Sequence, residues 1–496
     1  MIIKLNTSSS HVKYLFLIVM IIFSMLSTLM GINNQHELCF IFSLMGYLVM
    51  VIGLLGILKN YSNITLAYVF FMFLYTYSGV FSVIWGEGLH RIFNPNYEPS
   101  VFLILSNFAY TALFLGFIIF YKNNKNEEIH FSTIEKKKRL NDVLNKAIIF
   151  SWVAFSMEFI NFLRVGGFNA VALGKAYYNS KLSQMVLTLP GSMMVTVSFV
   201  FFALYLGYKR KYNFANKPLK VFIFLFPVTT VLALYTLLGR RGSFVSLAII
   251  LVVGIYYFRP LRRIPFKIFL GALMLYFVLS ILYSVRAHIG YYLFEQNDIV
   301  GLLNLITDND RILNAIVPSQ NEFGVAFGNF NEYYVSGTKI LKLGETYIKS
   351  ILLFIPSWIY PGEKPLQIVY EFRNIFFPSE AARGAIASTG FSFLLEAYMN
   401  FRIFGVIIVY FIVGVILAKL EKNRIRKQES LFFQSFYLSS IAVIGIFQRN
   451  AFGDIFSAIV IYSIILLIAN LRIVAYKRKT DTLSDNCAIE RKVTNS

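Results

Sequence analysis

Long apolar runs alternate with short polar segments along most of this chain. Apolar runs lie near 14–31, 38–58, 64–85, 101–121, 146–163, 190–207, 220–238, 243–258, 267–285, 403–419, 431–448 and 454–474. About 20 apolar residues in a helix cross the roughly 30 Å hydrocarbon layer of a bilayer. The pattern therefore predicts an all-α polytopic integral membrane protein with about 12 transmembrane helices.

The polar segments orient these spans. Basic residues gather in alternate connections: Lys4 and Lys13, Lys59, KNNKNEEIHFSTIEKKKRLN at 122–141, KRKYNFANKPLK at 209–220, RPLRR at 259–263, EKNRIRKQ at 421–428 and KRK at 477–479. The intervening connections, INNQHE at 32–37, GEGLHRIFNPNYEPS at 86–100 and RNAFGD at 449–454, are poor in them. By the positive-inside rule both termini are cytoplasmic. The N-terminal run has no small-residue cleavage site and reads as a first span, not a removed signal peptide.

Composition agrees. Hydrophobic residues make up 57% and charged residues 14% of the 496, and the mean hydropathy is +0.64, far from a soluble domain. A net charge of +21 would point to nucleic acid in a soluble protein. Here the cytoplasmic loops account for it, and no nucleic-acid partner is expected. Cys39 and Cys487 are remote in sequence and lack metal-ligand spacing, which argues against a disulfide framework or a zinc site. The Asp-Asn-Asp run at 308–310 lies in a plain polar loop. No metal and no cofactor is expected.

One connection departs from the rest. About 115 residues separate the ninth and tenth spans, and loops of that length are usually functional. The organisation expected is helices 1–9 over 1–285, an extracytoplasmic segment with short or re-entrant helices over 286–390, helices 10–12 over 391–475, and a cytoplasmic tail over 476–496. Within the long segment, TYIKSILLFIPSWIYPGEKP at 346–365 is apolar, aromatic and broken by proline. It predicts an interfacial or re-entrant helix with Trp358 and Tyr360 at headgroup level.

Charges on the outer side are where chemistry is expected. Arg164, Arg240, Arg241, Arg286, Arg311, Arg373, Arg383 and Arg449 fall there, against the charge rule. Pairing with phospholipid headgroups explains any one of them. As a set they suit a lipid-linked pyrophosphate, because the arginine fork binds phosphate oxygens bidentately and stays charged. In GRRG at 239–242 the glycines permit a tight turn, and the start of the next span offers free backbone N–H groups. Arg240, Arg241, Arg286, Arg383 and Arg449 are the candidate pyrophosphate ligands.

Acids and imidazole lie on the same side. His288 follows Arg286, QNEFG at 320–324 carries Glu322, and GNFNEYY at 328–334 has the aromatic and amide mixture of a sugar-binding surface, with Glu332. In RGAIASTGFSFLLEAYMNFRIFG at 383–405, Ser392, Glu396 and Asn400 repeat at a spacing of four and share one helical face. An ionisable group at membrane depth is expensive, which marks Glu396 as functional. A structural pair between Glu396 and Arg383 or Arg449 is the alternative. Glu396, Glu322 and His288 are the candidate catalytic groups, with Asn400 as a substrate ligand.

The run STGFSFLLEAYMNFRIFG at 388–405, GRRGS at 239–243 and FIPSWIYPGEKP at 354–365 resemble segments of bacterial O-antigen and capsule repeat-unit polymerases, the Wzy family. Arg402 departs from that pattern, which has a small residue after Asn-Phe. The resemblance implies a glycosyltransferase-C-like helical architecture in the cytoplasmic (inner) membrane, acting without a metal at its outer face. It implies polymerisation of undecaprenyl-diphosphate-linked oligosaccharides, with membrane lipids and a chain-length regulator protein as partners. A flippase of lipid-linked oligosaccharide and an O-antigen ligase are the alternatives. A transporter should show two related halves, which this sequence lacks.

Overall fold

The structure is a computed structural model. It describes residues 10–58, 63–84, 98–121, 133–172, 188–215, 217–237, 241–259, 298–308, 324–337, 340–355, 363–378 and 391–470, with Tyr360 and scattered residues between 261 and 296. In chain order the helices are α1 (Ser10–Ile32), α2 (His36–Leu58), α3 (Ile64–Ile84), α4 (Pro99–Phe120), α5 (Thr133–Val165), α6 (Gly167–Ala172), α7 (Thr188–Tyr212), α8 (Pro218–Leu237), α9 (Arg241–Ile255), α10 (Ile299–Thr307), α11 (Val325–Val335), α12 (Glu345–Phe354), α13 (Ile368–Phe376), α14 (Phe393–Arg426) and α15 (Leu431–Phe447). A last helix, α16, runs Phe452–Asn470.

Among the described residues, nine helices are long and apolar enough to cross a membrane, and α9 and α15 contribute two shorter apolar stretches, Ser243–Ile255 and Leu431–Ile444. These eleven coincide with eleven of the expected runs. The run at 267–285 lies almost wholly outside the described residues. Helices suit the setting because each satisfies its own backbone polar groups where no water is present. Two spans extend well beyond their apolar runs: α5 starts at Thr133, inside the basic connection, and α14 starts at Phe393 and ends at Arg426.

The tightest helix pair is α4 with α14, and small residues allow it. A Cβ on Gly116 would lie 2.3 Å from the Phe411 carbonyl oxygen, and one on Gly414 would lie 2.1 Å from that of Leu113. Such small-residue contacts let helices in lipid approach closely. Helix α14 is also kinked: Phe401 has φ −139° and ψ 25°, and Arg402 has φ 55° and ψ −142°. Arg402, where the resemblance leads to the expectation of a small residue, thus occupies left-handed backbone that suits glycine. Its guanidinium compensates by donating from Nη1 to the Tyr333 hydroxyl at 2.9 Å and lying 5.3 Å from the Tyr398 ring. The tight approach falls instead at Gly405, where a Cβ would meet the Ala397 carbonyl oxygen at 2.1 Å.

The bundle has two unlike ends. At one, Arg139 Nη1 donates to the Glu429 carbonyl at 2.8 Å, Arg259 Nη2 to the Lys211 carbonyl at 3.1 Å and Lys220 Nζ to Asn145 Oδ1 at 2.8 Å. This is the end that carries the basic connections. The opposite end holds α11, α12 and α13. There the Glu98 N–H, just before α4, donates to Asn331 Oδ1 at 3.0 Å.

Helix α11 is not the sugar-binding surface that its composition predicts. Residues Ala326 to Tyr333 are all buried, Glu332 among them, and it packs as a plug against α3, α4 and α14. Only Tyr334 of the stretch is well exposed. Ion pairs tie α12 to α13 beside the plug. Lys342 pairs with Glu371, Lys349 pairs with Glu345, and Lys349 Nζ lies 3.4 Å from Glu371 Oε2.

Candidate functional site

The first turns of α14 and α16 and the start of α12 converge at this second end. Ser392 caps α14, its hydroxyl accepting from the Leu395 N–H at 3.3 Å. Its spacing of four with Glu396 and Asn400 places all three on one inward face, with exposures of 1%, 0% and 0%. Asn400 Nδ2 donates to the Glu396 carbonyl at 2.8 Å and to Thr346 Oγ1 at 2.8 Å. Its Oδ1 accepts from the Gly344 N–H at 2.8 Å. The Lys342 and Leu343 N–H groups bond the carbonyls of Met399 and Asn400 at 2.9 and 3.2 Å. Asn400 is therefore the anchor that fixes the entry to α12 against α14, with both ends of its amide occupied by protein.

Glu396 Oε2 accepts from the Phe452 N–H at 2.6 Å. Phe452 opens α16, and the first N–H groups of a helix have no partner within it. The partial positive charge of that terminus suits a carboxylate. The other oxygen, Oε1, is buried and has no hydrogen-bond partner. Thr346, already accepting from Asn400, turns its hydroxyl toward this carboxylate without closing a bond to Oε1. Asp454, two residues into α16, stands close enough for the two acidic groups to act on each other.

Tyr347 completes the wall. Its ring meets that of Phe452 edge-on, with centroids 5.3 Å apart and planes at 89°. Its hydroxyl oxygen is also buried and closes no hydrogen bond, although the Asn400 amide stands near it. Burial, with the Glu396 charge nearby, pushes this phenol up, so at neutral pH it is a protonated donor.

A buried carboxylate with one oxygen open, a phenol beside it and an apolar frame can receive a hydroxyl group. A family model of the O-antigen polysaccharide polymerase Wzy matches residues 14–479, nearly the whole chain. The chain belongs to the Wzy family. Neither the curated proteins nor the solved structures contain a match to it. As a Wzy polymerase it is a multi-pass membrane protein of the glycosyltransferase type that polymerises O-antigen repeat units, which favours polymerase over the transporter and ligase readings.

The other predicted site residues of this Wzy protein are distributed as follows. Arg449 lies in the turn entering α16, where its carbonyl accepts from the Phe391 N–H at 2.6 Å and that of Gln448 from Phe393 at 3.4 Å. The same turn therefore holds both Arg449 and the N–H that binds Glu396. No arginine among the described residues pairs with Glu396, so the alternative of a Glu396–Arg449 brace is not what the structure contains. Arg241 opens α9. Its side chain, and Arg240, Arg286, His288, Glu322 and Arg383, lie outside the described residues.

Three acids escaped the sequence reading. Asp454 sits in a connection read only for its lack of basic charge. Glu158, 2% exposed within the apolar run of α5, accepts from the Tyr235 hydroxyl at 2.9 Å, close before the GRRG turn. An acid inside an apolar run was the available signal. Glu421, 1% exposed, lies at the far end of α14.

Proposed function

We propose that the enzyme joins undecaprenyl-diphosphate-linked oligosaccharides at the outer face of the inner membrane, and that Glu396 accepts the proton of the acceptor sugar hydroxyl. The observation that carries this reading is the buried Glu396 Oε1 without a partner, on a carboxylate that a helix N-terminus holds by its other oxygen. An open carboxylate oxygen in an apolar wall is suited to general-base work.

The acceptor oxygen attacks the anomeric carbon of the donor glycan. The bond from that carbon to the pyrophosphate oxygen breaks, the pyrophosphate leaves with the electron pair, and the acceptor proton passes to Glu396. Arg240 and Arg241, with Arg286, Arg383 and Arg449, neutralise the departing pyrophosphate, which stabilises charge where it develops. The gathering of basic connections at the end opposite Glu396 supports an outer-face site, since basic loops remain cytoplasmic.

Glu396→Gln tests the reading, because it keeps the shape and removes the charge. Reconstituted in liposomes with lipid-linked repeat unit, the variant should insert normally and leave single repeat units unpolymerised. Normal chain length at normal yield would remove Glu396 from the reaction.

A further inference from the structure

Two polar atoms of the Glu396 site close no hydrogen bond, Glu396 Oε1 and the Tyr347 hydroxyl oxygen, and both side chains meet Phe452, one at its N–H and the other at its ring. Leaving one buried polar group unsatisfied costs roughly 1–3 kcal/mol. Two on side chains that frame the same residue, Phe452, with the Glu396 charge felt at the phenol, point to a ligand atom that serves both. The two groups do not bond each other, although each has what the other needs.

Both groups are held in place. The Tyr347 N–H donates to the Gly344 carbonyl at 3.1 Å, while the Gly344 N–H is bound by Asn400. The ring lies edge-on to Phe452, the residue whose N–H binds Glu396. One residue of α16 and one of α14 thus position both sides of the gap.

The chemistry selects the ligand. An ionised carboxylate only accepts and a protonated phenol offers a donor, so the bridging group must donate once and accept once at the same atom. A phosphate offers acceptors and would be repelled by Glu396. An ammonium group has no acceptor for Tyr347. A hydroxyl group meets both, and among the groups of a lipid-linked sugar substrate that is an alcohol of the sugar ring. We propose that Tyr347 is a further substrate-binding residue, which donates to the same acceptor-sugar hydroxyl whose hydrogen Glu396 accepts. The hydroxyl oxygen then has one lone pair held by Tyr347 and the other free to attack the donor anomeric carbon, with its proton going to Glu396. This rests on the reading of Glu396 as the proton acceptor.

The experiment compares Tyr347→Phe, Glu396→Gln and the double variant, each reconstituted with purified lipid-linked repeat unit. Tyr347→Phe should lower kcat/KM by about 10- to 100-fold, the size of effect seen when one partner of a substrate hydroxyl is removed. Its thermal midpoint should stay level or rise, because the deleted oxygen closes no hydrogen bond within the protein. The double variant should be no slower than Glu396→Gln alone, since both changes act on one hydroxyl. Tyr347→Phe with wild-type kcat/KM, a fall in thermal midpoint with the loss of activity, or multiplicative losses in the double variant would each overturn the inference. An active Glu396→Gln instead overturns the assignment of the base itself. An inactive Glu396→Gln beside a fully active Tyr347→Phe overturns the role of Tyr347 alone.

Discussion

Glu396 and Glu421 lie on one helix, α14, with 0% and 1% exposure, and they are held in opposite ways. Glu421 is saturated. Its Oε2 lies 3.1 Å from Arg424 Nε, and its Oε1 accepts from the Tyr437 hydroxyl at 2.8 Å. Thr65 adds its N–H and hydroxyl, both at 3.4 Å. Tyr437 in turn accepts from the Ile64 N–H at 3.0 Å, and Arg424 Nη1 reaches the Tyr257 carbonyl at 3.4 Å. That network joins α3, α14, α15 and the end of α9, and has no capacity left for a ligand. Glu396 has one backbone N–H and an open oxygen. Burial alone thus does not mark a functional acid; the unfilled valence does.

The comparison predicts unequal costs. Glu421→Gln leaves the Arg424 charge buried and unpaired, and breaking a buried pair in this way costs roughly 3–5 kcal/mol. Detergent-solubilised protein should show a large drop in thermal midpoint and in yield. A second change, Arg424→Leu, should restore much of the loss, because it removes the charge that Glu421→Gln leaves buried and unpaired. If Glu421→Gln unfolds like wild type, the network is not the brace described. At Glu396 the same substitution should behave in reverse: a rate loss of about 10²-fold or more, as for a lost general base, with stability changed by less than about 1 kcal/mol. A variant in which rate and stability fall together would erase the distinction between the two ends.

The same contrast shows what was legible in the sequence. Spans were legible because unbroken apolar runs are a local signal. The polar ends of α5 and α14 were not, because a helix that leaves the membrane loses that signal while keeping its hydrogen bonds. The face shared by Ser392, Glu396 and Asn400 followed from spacing alone. The Glu396 partner did not, since Phe452 is 56 residues away and contributes a backbone group. Glu421 stood in EKNRIRKQ, a charge run that reads as solvated loop. Tyr437 and Tyr257, far away in sequence, bury it. Arg402 was legible as a departure, but its left-handed backbone and its seat on Tyr333 and Tyr398 were not.

Arg402 gives the next effect in size. Its φ of 55° strains any residue with a Cβ, at a cost on the order of 1–3 kcal/mol. Arg402→Ala keeps the strain and discards the contacts with Tyr333 and Tyr398. Arg402→Gly discards the contacts and relieves the strain. Thermal unfolding should rank the wild type above Gly, and Gly above Ala by about 1 kcal/mol. Equal midpoints for Gly and Ala would mean that the kink carries no strain at Arg402.

The smallest effect is expected from the ions at the Glu396 end, which lie near the surface where those around Glu421 are buried. The Lys349 hydrogen bond, with Lys342 nearby, holds the Glu345 carboxyl below its ordinary value of 4.5. Glu345 in turn raises the Lys349 ammonium above 10.5. A depressed carboxyl stabilises the fold above its unfolded value and loses that contribution as pH falls through the folded one. A raised ammonium contributes below 10.5 and fades as pH rises past its folded value. The Glu345–Lys349 pair within α12 is therefore complete between about pH 5 and pH 10. With 44% of the Glu345 side chain exposed, water screens the pair, and its worth should stay under about 1 kcal/mol. Glu345→Gln should lower the thermal midpoint slightly at pH 7, and by a smaller margin at pH 3.5 or in 1 M salt. A pH-independent difference would assign the effect of Glu345 to packing, not charge.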